Sequence, residues 1–135
     1  MKKRRAPFPP LSLFSQLVPP SLVAAFPRAM LNIHPALLPA FGGPGMYGQK
    51  VHAAVIASGA RVSGPTVHYV TDEYDRGPIL AQTAVPVRPT DTPASLAARV
   101  LAAEHELFPE AVGAMVGGRV VWREGGGAPY MLTAR

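Results

Sequence analysis

The chain contains no cysteine. That absence removes disulfides, thiolate metal sites and a cysteine nucleophile together, and it fits a reducing compartment, so a cytoplasmic protein is expected. No apolar run approaches the roughly 18 residues of a membrane span, and no membrane partner is expected. Charge is scarce, at 16% of residues against 48% hydrophobic, a balance that excludes a disordered chain. No internal period marks a repeat protein. Nor is there a compact metal signature such as His-Glu-x-x-His, so no metal is expected.

Acidic residues are few as well, and the net charge is +5. Four of the thirteen Lys and Arg residues, however, lie in Lys2-Lys3-Arg4-Arg5, which leaves nine basic against eight acidic residues in the remainder. The charge is a basic tail rather than a basic patch, and no nucleic-acid partner is expected. Pro7, Pro9, Pro10, Pro19 and Pro20 break up the apolar stretch that a secretory signal would need after its basic start.

What is present is one domain of 135 residues, large enough for a real core. The 16 prolines and 13 glycines gather in turns and at both ends. Residues 1–13 read as an unstructured basic, proline-rich leader, 14–123 as the domain, and 124–135 as a flexible glycine-rich tail. A strand or edge segment is expected over 11–18 and a short helical turn over 21–26, with Pro20 at its first position and Ser21 as a weak cap. A buried strand is expected over 30–34, ended by Pro35. A glycine-rich loop follows, then a helix from Tyr47 with Val51, Ala54 and Val55 on its apolar face and Gly59 as its C-terminal cap.

Thr66 to Val70 alternates in polarity, and Ile79 to Val87 carries apolar residues, which together predict a long hairpin around a tight acidic loop. Thr92-Pro93 starts a helix whose stripe runs through Leu96, Val100, Leu107, Ala111 and Met115, with Pro109 expected to kink or split it. Arg119 to Trp122 reads as a last short strand. These elements predict an α/β fold. Since one helical turn alone precedes the buried strand, the chain reads as the second half of a larger sheet.

Chemistry concentrates at Asn32 and His34, which are two apart and so share one face of a strand. A carboxamide and an imidazole side by side can polarise a carbonyl and stabilise a developing oxyanion. Asp75, placed beside His34, would favour its protonated form and make it a general acid. From spacing alone, a satisfied structural histidine and a solvated acidic loop at Asp72, Glu73 and Asp75 are the commoner readings. His52 and His105 are expected on helix surfaces. Glu104 lies beside the apolar stripe, as a rim carboxylate or a ligand for a substrate amine.

Three motifs appear in order: Asn32-Ile33-His34-Pro35-Ala36-Leu37-Leu38-Pro39, then Gly43-Pro44-Gly45-Met46-Tyr47-Gly48, then His68-Tyr69-Val70-Thr71-Asp72-Glu73-Tyr74-Asp75-Arg76-Gly77-Pro78-Ile79. Together they resemble the phosphoribosylglycinamide formyltransferase family, over residues 14–122. The resemblance implies a partial formyltransferase-type, Rossmann-like fold: the C-terminal half of a mostly parallel sheet, with flanking helices and a β-hairpin. It implies transfer of a formyl group from the co-substrate 10-formyltetrahydrofolate to the amine of glycinamide ribonucleotide, in de novo purine synthesis.

Asn32, His34 and Asp75 match the family's catalytic residues, and Leu17, Val18, Asn32, Thr71, Asp72 and Asp75 its folate contacts. Glu104 matches the carboxylate that meets the substrate amine. Ser15-Gln16 replaces the family's Met-Arg, and residues 1–13 resemble none of its amino-terminal half, which holds the Gly-Ser-Asn phosphate loop. Half a sheet leaves an exposed edge strand for a second copy of the chain, as a homo-oligomer, or for another chain to cover. The alternatives are a non-catalytic fragment, a formyltetrahydrofolate hydrolase or an initiator-tRNA formyltransferase. The Gly-Met-Tyr-Gly loop counts against the last two, and the near-neutral body against tRNA.

Overall fold

The computed structural model describes residues 19–72 and 75–133. The leader read over 1–13 and the segment 11–18 lie outside the described residues. In chain order the elements are α1 (Pro20–Ala25), β1 (Leu31–His34), α2 (Gln49–Ser58), β2 (Val62–Ser63), β3 (Thr66–Tyr69), β4 (Ile79–Gln82), β5 (Val85–Pro86), α3 (Pro93–Val116), β6 (Val120–Val121) and β7 (Tyr130–Met131). Pro20 opens α1 as expected, but Pro19 occupies the cap position and no side chain caps the turn, so Ser21 does not. The expected helix from Tyr47 begins two residues later, and Tyr47 itself is exposed. Gly59 closes α2 in the left-handed conformation that favours glycine.

The central sheet has the order β1-β3-β4, with both pairings antiparallel. β2 pairs with β5 and β6 with β7, again antiparallel. The mostly parallel sheet implied by the resemblance is therefore not found among the described residues. A parallel neighbour needs a crossover of about a dozen residues, whereas β3 and β4 are joined as a hairpin. The fold is mixed α/β with small antiparallel sheets. The long hairpin expected over 62–87 is present but broken, because Pro65 has no N–H to give to the ladder. Beyond that break it continues as the β2–β5 pair.

Side-chain alternation divides the central sheet into two faces. Leu31 and Ile33 of β1 share one face with Val67 and Tyr69 of β3. They pack with Leu80 of β4 and with Leu107 and Ala111 of α3, while Trp122 and Met131 close the edge of this core. A second core joins Ala36, Val51 and Val55 to Val85, Leu96 and Val100. One helix, α3, thus serves both cores, its first half against α2 and its second half against the sheet.

That helix begins with a reciprocal cap. Thr92 Oγ1 accepts from the Ser95 N–H, and Ser95 Oγ accepts from the Thr92 N–H. Arg99 reaches back to Asp91 with two hydrogen bonds of 2.7 and 2.9 Å and anchors the first turn to the preceding loop. Pro109 does not split the helix, since α3 is one continuous element of 24 residues. Proline costs a helix about 3 kcal/mol, and burial of Leu107 and Ala111 on either side of it offsets that loss. The span 124–135, read as a tail, contains β7, which pairs with β6.

His52 departs from expectation. Its place on a helix predicts a surface residue, but it is 5% exposed, because α2 lies against α3 and turns Val51, His52 and Val55 inward together. His68 on β3 is 3% exposed. Burial lowers the pKa of both imidazoles below the ordinary 6.5 by disfavouring the charged form, and the nearby His34 lowers them further. Because the folded-state values are depressed, the unfolded chain binds more protons just below pH 6.5. Stability is then complete above the unfolded value and is lost as pH falls through it.

Two predictions follow from this packing. Thermal unfolding should shift to lower temperature between about pH 7.5 and 5.5, by up to about 1.4 kcal/mol per pH unit for each histidine. His52→Gln should flatten that dependence, and an unchanged slope in calorimetry would refute it. The second concerns Gly77, where a Cβ would overlap the Tyr69 carbonyl oxygen. Gly77→Ala should cost about 2 kcal/mol in urea unfolding, since the loop must move off the end of β3.

Candidate active site

The face of the central sheet opposite the apolar core is polar. Register places Asn32 across from His68 and His34 across from Thr66, so four polar side chains from β1 and β3 lie on one face. A bulge at Val67 and His68 interrupts the pairing with β4, and bulges of this kind re-aim side chains beside functional sites. All four residues of β3 are buried. The polar face is therefore covered too, and by a loop rather than by a helix.

That loop, residues 36–43, is tied down through hydrogen bonds. Thr66 Oγ1 donates to the Ala36 carbonyl at 2.7 Å and accepts from the Leu38 N–H at 3.1 Å. The Gln82 amide of β4 donates to the Leu38 carbonyl and to Thr66 Oγ1, both at 3.0 Å. Buried polar groups are costly unless paired, about 1–3 kcal/mol each, and here the hydroxyl of a strand residue satisfies the loop backbone. The loop contains a cis peptide bond between Leu38 and Pro39.

His34 is 4% exposed and bridges the loop to the acidic turn. Its Nε2 lies 2.7 Å from the Phe41 carbonyl oxygen. A carbonyl only accepts, so Nε2 carries the hydrogen. Nδ1 on the other side of the ring faces Asp75 Oδ1 at 3.5 Å, an ion pair once the ring is protonated. The second oxygen, Asp75 Oδ2, accepts from the Gly43 N–H at 3.0 Å. Asp75 is held at φ 53°, in the left-handed region that Asp tolerates better than most residues. His68 Nε2 approaches the same Oδ1 at 3.8 Å, so one carboxylate stands between two buried imidazoles.

The sequence-predicted residues divide into groups. Asn32, His34 and Asp75 gather around the polar face. Thr71 and Asp72 lie on the segment leading from β3 to Asp75, with Asp72 exposed. Leu17 and Val18 lie outside the described residues. Glu104 is not in this cluster. It sits on α3 in a separate hollow of about 300 Å³, shared with His52 and with Pro35, the residue after His34. Burial raises the Glu104 carboxyl above the ordinary carboxylate value, and the charge of His105 opposes the shift.

An open cavity of about 570 Å³ lies on the other side of Asp75, walled by Leu38, Gly43, Arg76, Ile79 and Ala128. Among the described residues no three His, Asp or Glu side chains come together to hold a metal ion. None of the helices there is long and apolar enough to cross a membrane.

Sequence reasoning did not single out Gln82, the Phe41 carbonyl or the Gly43 N–H, and it placed Thr66 and His68 on one strand face without giving either a part in the transfer. Thr66 and His68 did carry a signal, as two polar residues facing the same way in an otherwise apolar strand. The backbone groups carried none. Chemically, the cluster offers a carboxamide and an imidazole on one strand face, with a carboxylate on the imidazole's far side. Such a set can bind a developing oxyanion and collect a proton.

Comparison with known proteins bears on this geometry. The chain is 57% identical over 126 residues to a protein named phosphoribosylglycinamide formyltransferase, chloroplastic, from Arabidopsis thaliana, covering 93% of this chain and 43% of that protein. It superposes on the crystal structure of phosphoribosylglycinamide formyltransferase from Anaplasma phagocytophilum with a TM-score of 0.79 at 34% identity, over 90% of this chain and 56% of that one. Glycinamide ribonucleotide transformylase 1 from Symbiobacterium toebii gives 0.78 at 41% identity, over 89% and 53%. The chain thus spans about half the length of the relatives it matches, and less than half of the Arabidopsis protein. A model of the formyl transferase family matches residues 3–112, the greater part of the sequence. With that match joined to the fold, the chain belongs to the formyl transferase family.

Proposed function

We propose that this chain carries the catalytic face of a phosphoribosylglycinamide formyltransferase, moving a formyl group from 10-formyltetrahydrofolate to the amine of glycinamide ribonucleotide in de novo purine synthesis. The observation that carries the reading is the placing of Asn32 and His34 on one strand face with the Asp75 carboxylate 3.5 Å behind the imidazole. The family match and the names of the relatives support it.

10-Formyltetrahydrofolate supplies the formyl group when bound, and the chain's own residues do the rest. The Asn32 carboxamide and the His34 imidazole stabilise the oxyanion that forms as the amine attacks. Asp75 supports the positive charge on His34 and takes the proton that the attacking nitrogen must lose. Asn32, Thr71, Asp72 and Asp75 hold the folate, together with Leu17 and Val18, which precede the described residues. Glu104 meets the substrate amine from the hollow beyond Pro35, which places donor and acceptor on either side of β1's end. No metal enters this reading.

β1 has one hydrogen-bonded neighbour among the described residues. Its second edge supports the reading that the sheet extends, with a parallel strand beside β1, into a Rossmann-like formyltransferase fold. The absence of cysteine suits a reducing compartment. We read that compartment as the cytoplasm, although the Arabidopsis relative is named chloroplastic.

Formation of tetrahydrofolate, followed spectrophotometrically with both substrates present, tests the reading. His34→Ala should lower kcat/KM by about 100- to 1000-fold while the circular dichroism spectrum stays that of the parent. Near-parental turnover in that variant would sink the role of His34. Glu104→Gln should raise KM for the amine substrate about tenfold with little change in kcat, the mark of a binding residue. A change confined to kcat would remove Glu104 from the substrate site.

A further inference from the structure

We propose that His68 is a positioning residue that acts through Asp75, its Nε2 holding the proton released by the attacking amine until the departing nitrogen takes it up. The inference rests on the formyl-transfer reading above. It starts, however, from groups that the reading leaves unexplained.

His68 lies almost wholly inside the protein, on the polar face of β3. Its Nδ1 is 3.1 Å from the Tyr69 carbonyl oxygen, which can only accept. Nδ1 therefore carries the hydrogen, and in the neutral ring Nε2 presents a lone pair. That Nε2 is enclosed and has no hydrogen-bond partner among the described residues. It faces Asp75 Oδ1 across 3.8 Å. Directly across the strand pair, Asn32 Oδ1 is also enclosed and without a donor. His68 Nε2 thus faces a carboxylate oxygen with no donor of its own, and the Asn32 carboxamide on the paired strand also lacks one.

One added proton resolves the arrangement. With Nε2 protonated, the ring donates to Tyr69 through Nδ1 and offers its other hydrogen toward Asp75. Burial and the charge of His34 on β1 act against a resting imidazolium, whereas the ionised Asp75 acts for it. β4 brings Ile79 opposite His68 and adds no charge there. The position therefore suits a proton held for part of the reaction cycle.

The proton count closes. As the bond from the amine nitrogen to the formyl carbon forms, that nitrogen loses one proton to Asp75, which passes it to His68 Nε2. As the bond from the formyl carbon to the donor nitrogen breaks, the electron pair stays on that nitrogen. The proton returns to it through Asp75. No oxidant or reductant takes part. Gly77 sits against the Tyr69 carbonyl, so the group that sets the His68 tautomer is itself held in place by the loop that carries Asp75.

The test uses the full chain with isotope-labelled histidine, followed by NMR through a pH titration from about 8 to 5, in the parent and in Asp75→Asn. Asparagine keeps the shape of the side chain and tolerates the left-handed backbone. The expected result is an Nδ1–H tautomer at about pH 8, protonation at Nε2 on acidification, and a proton affinity about tenfold lower in Asp75→Asn. An Nε2–H tautomer at about pH 8, or a midpoint that Asp75→Asn leaves in place, overturns the proposal.

Kinetics give the second arm. The carboxamide of His68→Asn can still donate to Tyr69 but cannot store a proton. Its kcat should fall about 100-fold with KM for both substrates within about twofold. A parental kcat overturns the proposal. If the parent forms no formylated product, the functional reading falls, and the titration still decides where His68 carries its proton.

Discussion

The pairing of Leu31–His34 with Thr66–Tyr69 is the constraint on which the rest of the structure depends. In a strand pair, side chains change face with every residue, so a slip of one position moves a whole set from core to site. Here Leu31 and Ile33 meet Val67 and Tyr69 on the face covered by α3, and Asn32 and His34 meet His68 and Thr66 on the other. A slip would place two imidazoles and a carboxamide against Leu107 and Ala111, and leave four apolar residues facing the polar loop. The apolar core thus does more than stabilise the sheet. It specifies which residues form the polar face.

A buried polar face is costly unless its groups find partners, and most of the partners here come from backbone. Thr66, Gln82 and His34 together serve three carbonyls and one N–H of the loop 36–43. Each bond contributes about 1 kcal/mol when formed, and more is lost if one partner is left alone. The loop is therefore placed by the strands it covers, and it in turn places the Gly43 N–H on Asp75. Among the described residues Asn32 Oδ1, His52 Nδ1, Ser63 Oγ and His68 Nε2 are buried without partners, and the last of them faces that carboxylate. Thr66, the residue that ties the loop down, is by contrast fully paired.

The family resemblance read from three motifs is borne out by the match over residues 3–112 and by the solved relatives. Much of the local structure was legible for physical reasons. Thr92-Pro93 is a cap followed by a residue with preset φ, and Gly59 is the residue that a left-handed helix end favours. Asn32 and His34 shared a face by strand period alone. Other readings failed where tertiary context overrode a local rule. Pro109 does not split its helix, where Leu107 and Ala111, two residues to either side, are buried, and His52 is enclosed because α2 packs broadly on α3. Residues 124–135 contain a strand because β6 offers β7 an edge to pair with.

By itself, the sequence determined the types and spacing of the chemical groups: a carboxamide and an imidazole two residues apart, a carboxylate in an acidic turn, and the periodicities that make strands and helices around them. Those properties are local, set by side-chain chemistry and backbone geometry over a few residues. Only the tertiary structure decided that Asp75, 41 positions after His34, stands 3.5 Å from its ring. It also decided that His68 shares the carboxylate and that Glu104 opens on a separate hollow. These are distances between segments far apart in the chain. They follow from the register of β1 on β3, the hydrogen bonds that fasten a loop over the polar face, and the packing of α2 on α3, none of which a local pattern of residues encodes.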